Sequence, residues 1–364
     1  MTEFKSVNFD EWQKHAINDL KSAEAFEALF KNWGDLQIKP YYDSGDLNDK
    51  ILTFSNQLTP GDGKGMAARG WYNVVRIVVD DASTANAEAL ELLMNGAEGI
   101  HFDIRKPVSI SVLLQDVLPE YIFLSFTVKE MKQADAIRAW LDSRDVDRQD
   151  VTGYIHLKES KDNTDHLISL FEPWPKFRSQ YFEQPESGEG VIDSLANLMI
   201  NVSDNLDKFI SMGHTADQVA GELVFGIKLG PAYFHEIVRL RAIRMLMYKL
   251  VHAWGSRINP DDILIHGIST PWIEENYQPM GNLIKSASSA MAGVLGGVHA
   301  LTVMPEDAES LLQKRIARNT GIILKEESYL DKTRDALAGA YYIESLTEQL
   351  GRAVWEKFQK LSAE

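Results

Sequence analysis

The segment RIARNTGIILKEES, residues 315–328, concentrates side chains that could carry chemistry in a few turns of a predicted helix. Two arginines, an asparagine and two adjacent glutamates surround Gly321, and glycine costs about 1 kcal/mol relative to alanine inside a helix. Leu312, Ile316, Thr320 and Ile323 recur at helical spacing and share one predicted face. The segment therefore fits either a catalytic surface or a helix packed against the rest of the protein.

A second group of polar residues, His101, Asp103 and Arg105, alternates along a predicted strand and its exit. Strand exits are where barrel enzymes hold their catalytic groups. A structural ion pair between Asp103 and Arg105 is the interpretation we favour, and a catalytic role is the alternative.

The segment HEIVR, from His235 to Arg239, begins like the zinc motif H-E-x-x-H. Arg239 stands where the second histidine ligand would be, so we expect an ordinary helix surface. His266 and His299 each lie inside a short apolar run, and we expect both to be core histidines with satisfied hydrogen bonds. The chain has no cysteine, which excludes disulfides, thiolate metal sites and thiol catalysis.

Two glycine-rich segments resemble phosphate-binding loops only superficially. In TPGDGKG, residues 59–65, the lysine is followed by Gly65 rather than by Ser or Thr, so we expect a flexible connector. The segment ESGEG, residues 186–190, is acidic and would repel a phosphate. Glu186 or Glu189 could act as a general base at a barrel mouth, although neither has a titratable partner nearby in sequence.

The composition is that of an ordinary globular protein: 364 residues, of which 45% are hydrophobic and 25% charged. The formal net charge of −16 disfavours binding to nucleic acid or to an anionic membrane, because both would repel the chain. Residues 1–12 have neither the basic nor the apolar region of a signal peptide. No apolar run approaches the roughly 20 residues that span a bilayer. We therefore expect a cytoplasmic protein.

Short apolar strands and helices alternate from Gly70 onward and would position these candidates. Before them, residues 1–69 are expected to form an arm, with a helix from Asp10 to Phe30 and an extended stretch from Leu36 to Tyr42. A helix is also predicted over residues 107–118. Eight strand-like runs are predicted, at residues 74–80, 100–104, 121–128, 152–157, 177–184, 222–229, 263–269 and 297–304.

Alternating strands and helices imply right-handed βαβ units and a parallel sheet. Eight strands predict an α/β protein with a closed (β/α)8 TIM-type barrel over residues 70–330. An N-terminal helical arm, residues 1–69, would precede the barrel, and a C-terminal helical extension, residues 331–364, would follow it. A doubly wound open sheet is the alternative, weakened because no G-x-G-x-x-G follows the first strand.

Four segments in order along the chain resemble the methylmalonyl-CoA mutase family. Residues 315–328 resemble its ARNTQ segment, and residues 236–255 resemble the helix after the sixth barrel strand. Residues 275–301 resemble the segment that leads to the eighth strand, and residues 339–359 resemble the G-[SA]-Y-Y-[VI]-E-x-L-T motif with its helix. The likeness covers most of residues 165–360, extends more loosely from Gly70, and includes an N-terminal arm similar to that of the small-subunit branch.

The chain departs from the active members of this family at four places. Pro185 and Glu186 stand where active chains carry a Tyr-His pair whose histidine would bond the substrate carbonyl. Leu264 replaces an arginine that binds coenzyme A phosphates, and a leucine cannot form such charged bonds. His299 and Gly321 each replace a glutamine. The cobalamin-ligand motif D-x-H-x-x-G does not occur in these 364 residues, and we expect no cobalamin-binding domain among them.

The resemblance therefore implies a small, non-catalytic subunit of a heterodimeric methylmalonyl-CoA mutase. No catalytic, cofactor-binding or metal-binding residues are expected in this chain. A homologous large subunit would bind adenosylcobalamin and interconvert methylmalonyl-CoA and succinyl-CoA. A catalytic chain with a separate cobalamin subunit is one alternative, and a stand-alone scaffold for the holoenzyme is another.

Three structural expectations follow from this interpretation. Bulky side chains should fill the barrel axis. The charged helix should be a structural remnant whose polar side chains form a network beside the barrel, namely Arg315, Arg318, Asn319, Glu326 and Glu327. Aromatic residues of the arm should contact the large subunit, with packing on the chain's own barrel as the alternative; they are Trp12, Phe26, Phe30, Trp33, Tyr41 and Tyr42.

Overall fold

The computed structural model describes residues 7–47, 68–158, 164–185, 188, 190–270 and 281–363. Within these ranges, the strands after the arm are β3 Tyr72–Val79, β4 Gly99–Ile104, β5 Phe123–Val128, β6 Thr152–Leu157, β7 Phe177–Arg178, β8 Gln180–Gln184, β9 Leu223–Leu229, β10 Leu264–Ser269 and β11 Ala300–Val303. The helices between and after them are α3 Ala82–Met94, α4 Ile110–Leu113, α5 Met131–Asp142, α6 Thr164–Phe171, α7 Val191–Ser211, α8 Ala216–Gly221, α9 Tyr233–Ala253, α10 Gly281–Leu295, α11 Leu311–Glu326 and α12 Tyr341–Ser362.

The strands form one parallel sheet that closes into a barrel. β3 pairs with β4 on one side and with β11 on the other, so the first and last strands are neighbours. β7 pairs with β6 and β8 pairs with β9, while only Ser179 separates β7 from β8. β7 and β8 are therefore two parts of a fifth strand, and the predicted eight-stranded barrel is confirmed.

The helix predicted over residues 107–118 is much shorter in the structure. α4 spans only Ile110–Leu113 because Asp116 adopts a left-handed conformation with φ of 58°, and Pro119 follows soon after. A non-glycine residue in this region interrupts a right-handed helix.

The arm contains two helices rather than the single helix predicted from Asp10 to Phe30. α1 spans Phe9–Leu20 and α2 spans Ala23–Glu27. Lys21 between them has a left-handed φ of 53°, and the Ser22 hydroxyl caps α2 by accepting a bond from the Ala25 amide at 3.1 Å. The predicted helix is therefore divided at Ser22, which begins a second helix within an otherwise helical sequence pattern.

A β-hairpin attaches the arm to the rest of the chain. Its strands, β1 Lys31–Trp33 and β2 Leu36–Ile38, are antiparallel. Trp33 is buried and stacks on His235 at the start of α9, with ring centroids 4.3 Å apart. Tyr42 is buried edge-on against Tyr342 of α12 at 5.3 Å. Part of the aromatic surface of the arm thus packs on the chain itself.

Helix α9 is buried on nearly all sides and uses three buried arginines to hold the elements around it. Arg244 donates to the carbonyl oxygens of Pro260 and Ile263, both at 2.9 Å, and so fixes the chain before β10. Arg241 pairs with Asp335 at 2.5 Å and with Glu344 of α12 at 2.8 Å. This ion cluster joins the C-terminal segment to α9, and α12 packs against both α7 and α9.

Helix α11 turns a different face to the barrel from the one predicted. Its buried residues are Ala317, Gly321 and Leu324, whereas Leu312 and Ile323 are 52% and 44% exposed. The reason is close backbone approach, because a Cβ atom on Gly321 would lie 2.1 Å from the Asn73 amide oxygen of β3. Ala317 and Gly321, together with Leu324, therefore define the contact, and Leu312 and Ile323 lie away from it.

Candidate functional site

Aromatic side chains from several strands meet on the barrel axis. Phe123 of β5 and Tyr154 of β6 are at most 1% exposed, and their ring centroids are 6.0 Å apart. Tyr154 stacks on Tyr181 of β8 at 5.3 Å, and Phe123 contacts Tyr72 of β3 at 5.3 Å. The remainder of this cluster is aliphatic and comprises Val74, Val224, Leu264 and Ala300. Bulky side chains thus fill the axis, and the expectation drawn from the sequence is confirmed.

One glycine makes room for this filling. Gly226 of β9 pairs with Glu183 of β8, two residues after Tyr181. A Cβ atom on Gly226 would lie 1.8 Å from the Tyr181 hydroxyl oxygen. Tyr181 therefore occupies the space that any other residue at position 226 would need.

A chain of hydrogen bonds crosses the axis above these rings. The Tyr154 hydroxyl lies 2.9 Å from Nδ1 of His266 on β10, a strand that is not a neighbour of β6. His266 Nε2 lies 2.8 Å from the Thr302 hydroxyl, which itself donates to the Val74 carbonyl at 2.9 Å. His266 Nε2 must therefore carry the proton, and Tyr154 donates to Nδ1.

His101 of β4 joins this chain, since its Nδ1 lies 3.5 Å from the Tyr154 hydroxyl. Its ring nitrogens lie 2.9 Å from the Ser125 hydroxyl and 3.0 Å from the Thr127 hydroxyl. Burial lowers the pKa of His266 to about 3, and burial together with His266 and Arg76 lowers that of His101 well below its usual range. Both rings are neutral at pH 7 and have partners on both nitrogens, so His266 is the satisfied core histidine that was predicted.

Charged residues surround the mouth at the carboxyl ends of the strands. Asp103 pairs with Arg76 of β3 at 2.6 Å, with Arg105 at 3.3 Å and with Lys158 at 4.0 Å. Burial acts to raise the pKa of Asp103, but the bond and charge of Arg76, with Lys158 and Arg105, outweigh it and hold the pKa below its usual value. The predicted Asp103–Arg105 pair exists, and Arg76 is the closer partner of Asp103.

The exit of the fifth strand is held by Arg239 of α9. Its guanidinium donates to the carbonyl oxygens of Pro185 and Lys228, each at 2.5 Å, and pairs with buried Glu236 at 2.5 Å. The HEIVR segment is therefore a structural part of the helix, as predicted. Glu186 and Glu189, the candidate bases, lie outside the described residues.

Leu264 and His299, two further positions singled out in the sequence, also have structural roles. Leu264 is 4% exposed and belongs to the apolar cluster on the axis. His299 Nδ1 accepts from the Ile265 amide at 3.2 Å, and Nε2 donates to the Asp261 carbonyl at 2.8 Å. Both residues thus stabilise the region around β10.

The polar network predicted for α11 is wrong. Among the described residues, the side chains of Arg315, Glu326 and Glu327 make no ion pair or hydrogen bond, and Arg318 bonds only the neighbouring Asn319 amide at 3.3 Å. These residues avoid the buried face set by Gly321. The contacts to the barrel come instead from Lys325, which bonds the Trp71 carbonyl and the Glu98 carboxylate at 2.7 Å.

The sequence interpretation missed the residues that fill the axis, chiefly Tyr154, His156 and Tyr181. His156 stacks on Tyr181 at 4.3 Å, and desolvation lowers its pKa to about 4. The available signal was strand alternation, since residues two apart on one strand share a face. Applying that rule to β6 and β8 would have placed Tyr154 with His156, and Tyr181 with Glu183, inside the barrel.

Neither a metal cluster nor a membrane span is found in the parts of the chain that the structure describes. They contain no group of three or more His, Cys, Asp or Glu residues placed to hold a metal ion. No helix there is both long and apolar enough to cross a bilayer.

The family model of methylmalonyl-CoA mutase matches residues 181–364, which is half of the chain. The chain belongs to the methylmalonyl-CoA mutase family. The methylmalonyl-CoA mutase small subunit of Porphyromonas gingivalis is 26% identical over 404 residues, covering 98% of this chain and 63% of that subunit. The large subunit from the same organism is 31% identical and covers 50% of this chain. The methylmalonyl-CoA mutase of Cereibacter sphaeroides is 30% identical over 52% of this chain.

The chain spans less than two thirds of the length of these family members. It matches 63% of the small subunit, 26% of the large subunit and 28% of the Cereibacter sphaeroides mutase. Among solved structures, a dihydropteroate synthase from Thermus thermophilus aligns with 71% of this chain at 12% identity, with a TM-score of 0.39.

Proposed function

We propose that this member of the methylmalonyl-CoA mutase family is the small, non-catalytic subunit of a heterodimeric enzyme. The observation that carries the proposal is the filled barrel axis, where Phe123, Tyr154 and Tyr181 pack in mutual contact. A catalytic mutase of this family would need a tunnel there for its coenzyme A thioester. The similarity to a small subunit over 98% of this chain supports the same assignment.

Three of the buried barrel histidines also do not fit the cofactor of the family. A histidine that coordinates cobalt needs a free ring nitrogen, whereas His101, His266 and His299 each use both nitrogens within the protein. We assign adenosylcobalamin, and with it the isomerisation of methylmalonyl-CoA and succinyl-CoA, to the partner chain. The described residues of this chain are given no catalytic or cofactor-binding role.

The proposed partner is a homologous large subunit, and the arm is the proposed contact region. Phe26, Trp33 and Tyr42 are buried within the chain and present little surface to a partner. α1, in contrast, has no buried residue although it is amphipathic. Leu20 at its end and Leu29 after α2 are 42% and 37% exposed. Exposed apolar residues beside a cluster of aromatic rings suit an interface core.

Co-expression with a large subunit tests the proposal. We expect a one-to-one complex on size-exclusion chromatography, with mutase activity that disappears when the large subunit is omitted and persists at a reduced level when the small one is. Replacing both Leu20 and Leu29 by arginine should weaken the complex at least tenfold, because two charged groups would be buried unpaired. Point substitutions are preferable to deleting residues 1–45, which would uncover the core side chains under Trp33 and Tyr42.

Met212→Arg at the end of α7 is the matched control, since Met212 is 52% exposed and distant in sequence from the arm. It should leave the complex intact. If the two chains elute separately at micromolar concentration, the subunit proposal is wrong. If the variant with arginine at both Leu20 and Leu29 forms the complex as tightly as the parent chain does, the contact region lies outside the arm.

The two alternative functions receive less support. A catalytic chain that works with a separate cobalamin-binding subunit would need an open barrel axis. A stand-alone scaffold would dissociate from the holoenzyme once assembly is complete.

We further propose that residues 1–69 form the arm, residues 70–330 the barrel and residues 331–364 the C-terminal extension. We also propose a cytoplasmic location.

A further inference from the structure

A groove opens where the first and last barrel strands separate. β3 and β11 pair only at Tyr72–Ala300 and Asn73–Leu301, whereas β3 pairs with β4 over six positions. Beyond this short contact lies a cavity of about 400 Å³, within the range of roughly 300–1,000 Å³ typical of small-molecule pockets. We call it the seam groove. Helices α3 and α11 form its outer walls, so it lies beside the filled axis rather than on it.

Slightly more than half of the lining surface of the seam groove is apolar. Val75, Leu92 and Val303 line it and are only half-buried, although they lie on core elements of the barrel. Leu301 and Ala317 form buried parts of the lining. The small side chain of Ala317 keeps the groove open on the α11 side. A hydrocarbon segment of a ligand would bury these surfaces further.

Arg318 brings a cation to this lining without an acidic partner. Its guanidinium bonds only the Asn319 amide oxygen at 3.3 Å, and none of the described carboxylates lies within 4.0 Å.

The other charges that line the groove are already paired or exposed. Lys314 pairs with Glu88 at 3.4 Å, and Asp80 pairs with Lys106 at 3.7 Å. Arg76 and Arg105 share Asp103, and Glu309 is exposed. Arg318 is therefore the group available to a ligand, and guanidinium binds carboxylate with two parallel bonds.

We propose that the seam groove binds a small amphiphilic carboxylate, with the acid group on Arg318 and the hydrocarbon chain against Val75, Val303 and Ala317. The ligand class follows from a single available guanidinium next to an apolar cleft. This inference is independent of the subunit proposal, because Arg318, Val75, Val303 and Ala317 belong neither to the aromatic cluster on the axis nor to the arm.

Calorimetric titration of the full chain with octanoate tests the inference. We expect saturable one-to-one binding. Octan-1-ol, which lacks the charge, and acetate, which lacks the hydrocarbon, should each bind at least tenfold more weakly. Arg318→Gln should weaken octanoate binding by roughly tenfold or more, since a hydrogen bond to a charged group is lost. Arg315→Gln, an exposed arginine on the same helix, is the matched control and should change the affinity less than twofold.

Filling the groove gives a second, independent test. Ala317→Phe should abolish binding while leaving the thermal melting curve cooperative. If this variant does not fold, the comparison of Arg318→Gln with Arg315→Gln still decides. Absence of saturable octanoate binding would overturn the inference, and so would equal weakening by the two arginine variants, because binding would then follow overall charge rather than the groove.

Discussion

At the residue scale, the side chains best suited to catalysis form hydrogen bonds and ion pairs that stabilise the fold. His101, His266 and His299 have two partners each, and burial keeps the first two neutral at pH 7. Arg239 holds two strand exits, and Asp103 is shared among three cations. A group that already makes its full set of bonds would have to break them before it could bind or protonate a substrate.

The close fit of Tyr181 over Gly226 predicts a coupled pair of mutations. Gly226→Ala should destabilise the protein by about 1–3 kcal/mol, because the new methyl group overlaps the Tyr181 ring. Combining it with Tyr181→Leu should cost less than the sum of the two single changes. Denaturant unfolding measures all three free energies. Gly221→Ala is the control, since a Cβ atom there meets nothing within 4 Å and should cost little. Additive effects at 226 and 181 would mean that Tyr181 does not occupy the axis.

Individual residues were predictable from sequence where local pattern determines their environment. His266 inside an apolar run and the incomplete HEIVR motif were both interpreted correctly, since flanking residues alone were enough. The inward face of α11 was not predictable in this way. Its orientation depends on Asn73, nearly 250 residues earlier in the chain, and close approach to Gly321 outweighs the apolar stripe of Leu312 and Ile323.

At the element scale, the fifth strand is the least regular part of the barrel. It is interrupted at Ser179, whose hydroxyl donates to the Glu222 carboxylate at 2.8 Å just before β9. Burial raises the pKa of Glu222 to about 7, against the combined effect of Ser179 and Arg178. The Glu222 carboxyl group therefore bonds the residue at the interruption, and the folded state is more stable when this group is protonated.

This carboxyl group predicts a pH-dependent effect of Glu222→Gln. A folded pKa of about 7, above the unfolded value of 4.5, means that its stabilisation is fully present below pH 4.5 and is lost as the pH rises through 7. Relative to the parent chain, the variant should therefore gain about 1.4 kcal/mol between pH 6 and pH 8. Urea unfolding at the two pH values measures the change. Glu24→Gln on the exposed surface of α2 should show no such gain, and an equal effect of Glu222→Gln at both pH values would contradict the prediction.

Element order was predictable to a large degree, and element ends were less so. All eight barrel strands occur where apolar runs predicted them. Short runs of β-branched residues that alternate with helices are typical of strands in a parallel sheet. The errors lie at breaks: Ser22 divides the predicted arm helix, and Asp116 ends α4 early. Both depend on a single residue's backbone conformation, which apolar periodicity does not report.

At the scale of the whole molecule, a mutase-family barrel is joined to an arm and a C-terminal helix through buried contacts. Trp33 stacks on His235, and Arg241 bridges Asp335 and Glu344. The barrel retains the architecture of its family while aromatic rings occupy the axis. These features support the proposal that the chain contributes surface and stability to an assembly whose chemistry takes place in another subunit.

Calorimetric titration of the isolated chain with methylmalonyl-CoA tests this account most directly. The filled axis and the leucine at position 264 predict no saturable binding, whereas the complex with a large subunit, titrated in parallel, should bind the thioester through that subunit. Saturable binding of methylmalonyl-CoA to the isolated chain with low-micromolar affinity would contradict the account and favour a catalytic barrel.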